Sequence, residues 1–168
     1  MNIAIPDIVV PVIRLIRTKE EKDLLREQIV ELERGLFTSD SQGLETRLKK
    51  YVPEHIAAAI DRIISLPSLK DNPEELKIFF QKLRMVVDEL PVLNIDLAFK
   101  PTEVMIDRMH EWVRESIRIG IVLDIGYDAS ILGGSRLIFG GRYREATLVQ
   151  MVTDALAQEK TNILKLIR

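Results

Sequence analysis

Apolar positions in the first half of the chain recur at spacings of three and four, the period of one helical face. Leu24, Leu25, Ile29, Leu32 and Leu36 carry it first. Thr18 precedes them as an N-cap, and Glu21 stands three residues on. Each side chain can then satisfy the other's free backbone N–H. Gly35 lies near the end of this helix, and Thr38–Gly43 reads as a polar turn. Leu44, Leu48, Tyr51 and Val52 predict a shorter helix. Pro53 suits the first position of the next, which carries Ile56, Ala59, Ile60, Ile63 and Ile64 and stops near Pro67. Asn72, Pro73 and Glu75 open the clearest stripe, through Leu76, Phe79, Phe80, Leu83, Val86, Val87 and Leu90. Pro91 ends it. Residues 1–90 predict a bundle of about four or five helices.

After Pro91 the period drops to two. Leu93, Ile95, Leu97 and Phe99 share one face of a predicted strand. Pro101 and Thr102 open a helix with Met105, Ile106, Met109, Trp112, Val113 and Ile117 turned inward, and Gly120 breaks it. Ile121–Tyr127 and Ser135–Phe139 predict two more strands. Gly140-Gly141 is a hairpin turn, because both residues can take positive φ, and Arg142–Arg144 returns as a fourth strand. Leu148, Val152, Leu156, Ile163 and Ile167 predict a closing helix. The expected fold is α+β, with a helical bundle over 1–90 and a small mixed-sheet β-α-β-β-β-α domain over 91–168. The helix between the first two strands allows them to lie parallel, and the hairpin adds antiparallel neighbours.

Composition then narrows the chemistry. Basic and acidic side chains number 24 and 26, and 24 − 26 leaves −2, not the excess of Lys and Arg that a general nucleic-acid binder needs. The absence of cysteine excludes a disulfide framework, a Cys-ligated zinc site and a thiol nucleophile. No phosphate-loop or nucleophile-elbow motif occurs. His55 and His110 are the only imidazoles and fall on predicted helices. Asp107 and Arg114 around His110 suggest a solvated face, and neither histidine has the further ligands of a metal motif. Asp124 and Asp128 would lie roughly 13 Å apart along a strand, too far for a carboxylate pair. No catalytic residue, metal or cofactor is expected. Arg136, Arg142 and Arg144 gather on one hairpin, either as a charged edge that discourages aggregation or as a docking edge for an acidic partner.

The opening, Met1–Arg17, is apolar but interrupted by Pro6, Asp7, Pro11 and Arg14. It is too short to cross a bilayer, and its arginines follow the apolar run where a signal peptide would have them precede it. The expectation is a short helix covering the core of a cytoplasmic protein.

The run Val122–Gly134, VLDIGYDASILGG, is similar to the C-terminal signature of the delta subunit of bacterial F-type ATP synthase. The mitochondrial oligomycin-sensitivity-conferring protein belongs to the same family. There a strand leads into Asp-Pro-x-Leu-x-Gly-Gly, then a strand, a glycine hairpin, an acidic residue, a serine and a closing helix. The signature positions here are Asp128, Leu132, Gly133, Gly134, Gly141, Glu145 and Thr147, with Ala129 in place of the proline. The resemblance covers roughly residues 92–158. The family's opening Tyr-Ala-x-Ala-Leu pattern is absent from the helical half.

The resemblance implies a stator: a non-catalytic peripheral-stalk subunit, without cofactor, that serves ATP synthesis and proton transport. The bundle would grip the alpha subunits of the catalytic head, and the C-terminal domain the b-subunit stalk. It implies one copy per complex, held peripherally on the cytoplasmic side of the cell membrane. Candidate partner-binding residues are Arg136, Arg142 and Arg144, with Ile163, Leu164, Leu166 and Ile167 on the closing helix. The other reading is a small α/β RNA-binding or ribosome-associated protein that uses the arginine hairpin.

Overall fold

The computed structural model describes residues 5–35, 52–70, 72–148 and 151. Helices come first: α1 (Val10–Ile13), α2 (Lys19–Gly35), α3 (Glu54–Ile64), α4 (Pro67–Lys70) and α5 (Pro73–Glu89). They precede β1 (Val92–Leu97), α6 (Glu103–Ser116), β2 (Val122–Tyr127), β3 (Gly134–Phe139) and β4 (Arg142–Thr147). The α+β class is as the periodicity indicates. The helix expected through Leu44 and Leu48 lies outside the described residues. So does the closing helix apart from Leu148 and Met151, with Ile163, Leu164, Leu166 and Ile167.

Local chemistry explains the helix starts. Glu21 N–H donates to Thr18 Oγ1 at 3.2 Å and Thr18 N–H to Glu21 Oε2 at 3.4 Å, a reciprocal capping box. Asn72 Oδ1 accepts from Glu75 N–H at 3.3 Å, with Pro73 at the first helical position. The predicted stripe of α5 is the buried one: Phe79, Phe80, Leu83, Val86 and Val87 face the core. The two phenylalanine rings meet at 5.2 Å, tilted by 60°, as packed core aromatics do. They join Leu25, Ile29 and Leu32 of α2 and Ile56 and Ile60 of α3. The amino-terminal segment is part of this core, because Val9, Val12, Ile13 and Ile16 are fully buried in it.

The sheet has the order β2-β1-β3-β4. β1 is parallel to β2 and antiparallel to β3, and β3 pairs antiparallel with β4. One sheet face holds Leu93, Ile95, Leu97 and Leu123, which cluster with Val113 of α6. At the near end of the other face, Val122 enters the helical core and Val92 packs on it. The sheet also gains a short fifth lane. Thr18 bridges to Leu123 in parallel, and Leu123 N–H donates to Arg17 O at 2.9 Å. The residues leading into α2 thus cover the outer edge of β2.

Three expectations change. β1 ends at Leu97, so Phe99 leaves the alternating face and is exposed. Met105 and Trp112 of α6 and Ile117 just past its end are exposed, Ile106 and Met109 half-buried, and only Val113 of the expected set is buried. A helix lying on a sheet buries a narrow stripe, and the apolar arc here is wider than that stripe. His110, read as solvated, is buried at 6% exposure.

Glycine geometry closes the sheet. Gly140 and Gly141 have φ of 56° and 75°, which gives the tight β3–β4 hairpin. Gly134 has φ 97°, and a Cβ there would run into the Ala146 carbonyl oxygen. A Cβ on Gly141 would meet nothing within 4 Å. Gly141→Ala should therefore cost only backbone strain, about 1–2 kcal/mol. Gly134→Ala should cost more than about 3 kcal/mol, since strain and collision add. Urea unfolding of both variants checks this, and equal losses would show that the close approach at Gly134 is not limiting.

Candidate functional site

The signature residues come together around one arginine. Asp128 Oδ1 accepts from the Ser130 backbone N–H at 2.9 Å and from its hydroxyl at 2.6 Å. Its other oxygen accepts from Arg136 Nη1 at 2.7 Å. The hydrogen bonds from Ser130, then the Arg136 charge, hold the Asp128 carboxyl below its ordinary pKa. Glu145 stands opposite Arg136 in the β3–β4 register, with 3.7 Å between Arg136 Nε and Glu145 Oε1. Glu145 also accepts from the Tyr143 hydroxyl at 2.8 Å and the Thr147 hydroxyl at 2.9 Å. Those two bonds, with Arg136 behind them, lower its pKa as well. The turn Asp128–Gly134 is thereby tied to β4 through Arg136. A Cβ on Gly133 would lie 2.7 Å from Leu148 Cδ1, so the start of the next helix packs directly over the glycine.

The structure separates residues that the sequence groups together. Within the signature, Ile131 is the buried aliphatic at 4% exposure, while Leu132 is 68% exposed. The three arginines also do not form one cluster. Arg136 pairs across to Glu145, whereas Arg144 and Arg142 stand opposite Leu137 and Phe139. Side chains alternate along strands, so Arg136 points to one face and the other two to the opposite face. Arg136 is committed to Asp128 and Glu145. Arg142 and Arg144 are exposed and remain the docking candidates. Asp124 is likewise taken, accepting from Lys19 Nζ at 2.7 Å.

A second constellation was not singled out in the sequence. Arg17 donates from Nε to Glu21 Oε1 at 2.9 Å and from Nη1 to Asp107 Oδ1 at 2.7 Å and Glu103 Oε2 at 3.2 Å. It also donates its backbone N–H to Glu21 Oε2 at 2.7 Å. Glu21 is buried at 6% exposure. The bond to Glu21, then that to Asp107, raises the Arg17 pKa, so this guanidinium is charged at every relevant pH. One side chain therefore joins the helical core to α6. The i,i+4 spacing of Arg17 and Glu21 was the available signal, but the capping-box role of Glu21 masked it.

Beside this clasp lies a cleft of about 450 Å³ lined by Arg14, Leu15, Arg17, His55, Asp107, His110, Glu111 and Arg114. Asp107, His110, Glu111 and Arg114 follow the i, i+3, i+4, i+7 spacing, so a polar stripe of α6 faces the helices. His55 Nε2 lies 3.2 Å from Leu15 O, where it donates, and 3.7 Å from Glu21 Oε1. Both histidines thus meet at one place. Burial first, then the Arg114 charge, lowers the His110 pKa.

Among the described residues no group of acidic or imidazole side chains is arranged to hold a metal ion. Nor is any helix among them long and apolar enough to cross a membrane. Compared with known proteins, the sequence matches no family model and no curated relative.

Arg17→Met should destabilise the fold by about 3 kcal/mol, because it strands the Glu21 carboxylate in a buried position. The double variant with Glu21→Met should lose less than the sum of the single losses, by about 1–3 kcal/mol. Chemical unfolding of the four proteins measures the coupling. His110 makes a separate prediction. Its folded pKa lies below the ordinary 6.5, so the unfolded chain takes up the proton first. Stability is intact above that value and falls as pH drops through it towards the folded pKa. His110→Gln should flatten this part of the profile of melting temperature against pH.

Proposed function

We propose that the chain is a peripheral-stalk subunit of an F-type ATP synthase, a stator that ties the catalytic head to the b-subunit stalk. The observation that carries this reading is the Asp128–Gly134 turn. Of the residues on which the sequence resemblance rests, Asp128 and Glu145 are tied to each other through Arg136, and Gly133 lets Leu148 pack over the turn. They act through geometry and pairing, and none of them is poised for proton transfer or nucleophilic attack. The reading is therefore of a structural linker and not an enzyme, with no cofactor.

In this proposal the helical half engages the alpha subunits, and the α/β half engages the b stalk. Arg142 and Arg144, exposed on the same face of β4, supply the charge that selects an acidic stretch of the partner. Ile163, Leu164, Leu166 and Ile167 supply apolar positions for packing against a stalk helix. The subunit would sit at the cytoplasmic face of the membrane through its partners.

Affinity purification of the full chain from native membranes should recover alpha, beta and b subunits in fixed proportion. Arg142→Glu with Arg144→Glu should weaken b association on the order of tenfold and leave alpha association intact. If no ATP synthase subunit is recovered, the proposal fails. Salt-dependent retention of RNA, lost in the same double variant, would then favour the RNA-binding reading.

A further inference from the structure

We propose that the outer edge of β4 binds an extended, acidic segment of a partner protein, which adds antiparallel to β4 as a further strand of the sheet. The inference rests on the docking role proposed for Arg142 and Arg144, but not on the partner being a stalk subunit.

β4 is the last strand in the order β2-β1-β3-β4. Along an antiparallel pair, successive residues direct their N–H and C=O alternately to the neighbour and away from it. Phe139 and Arg142 close the two-residue hairpin, and at the other end Leu148 N–H donates to Gly133 O at 3.1 Å. Arg142, Arg144 and Ala146 therefore bond to β3, while Tyr143 and Glu145 turn their N–H and C=O outward. Neither of those two has a backbone partner on that side among the described residues. Arg142, Tyr143, Arg144 and Ala146 are all exposed, so the edge is open to solvent. The opposite edge of the sheet, on β2, is already partly covered by Thr18.

Side chains fix what the open edge accepts. Arg142 and Arg144 share a sheet face with Leu137 and Phe139 of β3, Leu93, Ile95 and Leu97 of β1 and Leu123 of β2. No strand places a carboxylate on that face. The acids of α6 are engaged elsewhere: Glu103 and Asp107 pair with Arg17, beyond the far edge of the sheet, and Glu111 lies 3.5 Å from Arg114. Glu115 is offset by Arg108 on the same helix. The positive charge of Arg142 and Arg144 is thus left without a counter-charge. On the other face of β4, Tyr143 at 55% exposure lies beside Ile138 at 41%. Directly opposite residues of an antiparallel pair lie on the same face. An incoming strand therefore meets the two arginines with carboxylates at alternate positions, and Tyr143 with an apolar residue between them. Its backbone supplies the affinity and this alternation the specificity.

A second copy of the chain does not fit. Two-fold antiparallel registers centred on Tyr143, Arg144 or Glu145 set Arg142 against Arg144, Arg144 against its own copy or Glu145 against its own copy. Like charges directly opposite destabilise the pair. The charges that keep the edge from pairing with itself are the ones that select an acidic strand.

The test uses the full chain and the acetylated, amidated peptide Thr-Glu-Ile-Glu-Ile-Glu-Thr as probe, with backbone amides followed by NMR. The peptide should shift the Tyr143 and Glu145 amides saturably and slow their hydrogen exchange. Lys in place of its Glu should weaken binding at least about tenfold, and so should the Arg142→Ala/Arg144→Ala protein. Neither arginine has an ion pair to lose among the described residues, so that variant should keep the wild-type melting temperature. Methylating the Ile nitrogens keeps every charge but removes the N–H groups that face β4, and should abolish binding. Methylating the first and last Glu nitrogens, which face solvent, should be tolerated. No saturable shift up to about 1 mM peptide, or binding that survives Ile methylation, would overturn the proposal. So would dimerisation of the chain through the same two amides, which would assign the edge to a second copy. Peptide binding without recovery of any ATP synthase subunit would keep this inference and discard the stalk, and recovery of b without peptide binding would do the reverse.

Discussion

The Arg17 guanidinium lies between Glu21 on α2 and Asp107 on α6, while the adjoining peptide oxygen accepts a hydrogen bond from β2. The placement of the helices against the sheet depends on this short segment. Its side chain fixes α6, its backbone extends the sheet, and Thr18 beside it caps α2. Each contact constrains the others. Moving α2 by one residue would break the capping box and the β2 bridge together. The buried Glu21 carboxylate is tolerable only because Arg17 and two backbone N–H groups face it.

The other fixed point is at the far end of the sheet. There the Asp128–Gly134 turn is held by side-chain pairing with Arg136, and two positive-φ glycines let β4 and the next helix approach without side-chain collision. Neither part is sufficient alone. The ion pairs orient the turn, and the glycines make the space into which the chain closes. The outward arginines of β4 then have a rigid base, which their proposed docking role requires.

Much of this was legible in the sequence. Helical periodicity marked the α5 stripe, and the capping residues placed the starts of α2 and α5. The Gly140-Gly141 pair gave the hairpin. What the sequence hid was always a matter of which face met what. The apolar arc of α6 could not say that only one narrow stripe would reach the sheet. The polar stripe through His110 looked solvated because nothing in the local sequence shows that α1 and α3 stand over it. Arg136 resembled its two neighbours on the hairpin in type and spacing. Only the register, which sets Arg136 opposite Glu145, separates it from them.

The nature of the joint between helices and sheet bears on the proposed stator role. Among the described residues, Val122 and Val92 are the sheet residues that reach the helical core. Hydrophobic contact is non-directional and would allow the halves to slide. The Arg17 clasp and the Leu123 backbone bond are directional, and each is lost if the angle between α2 and the sheet changes by much. The proposed stator role, which must resist torque, calls for directional contacts of this kind between the two halves.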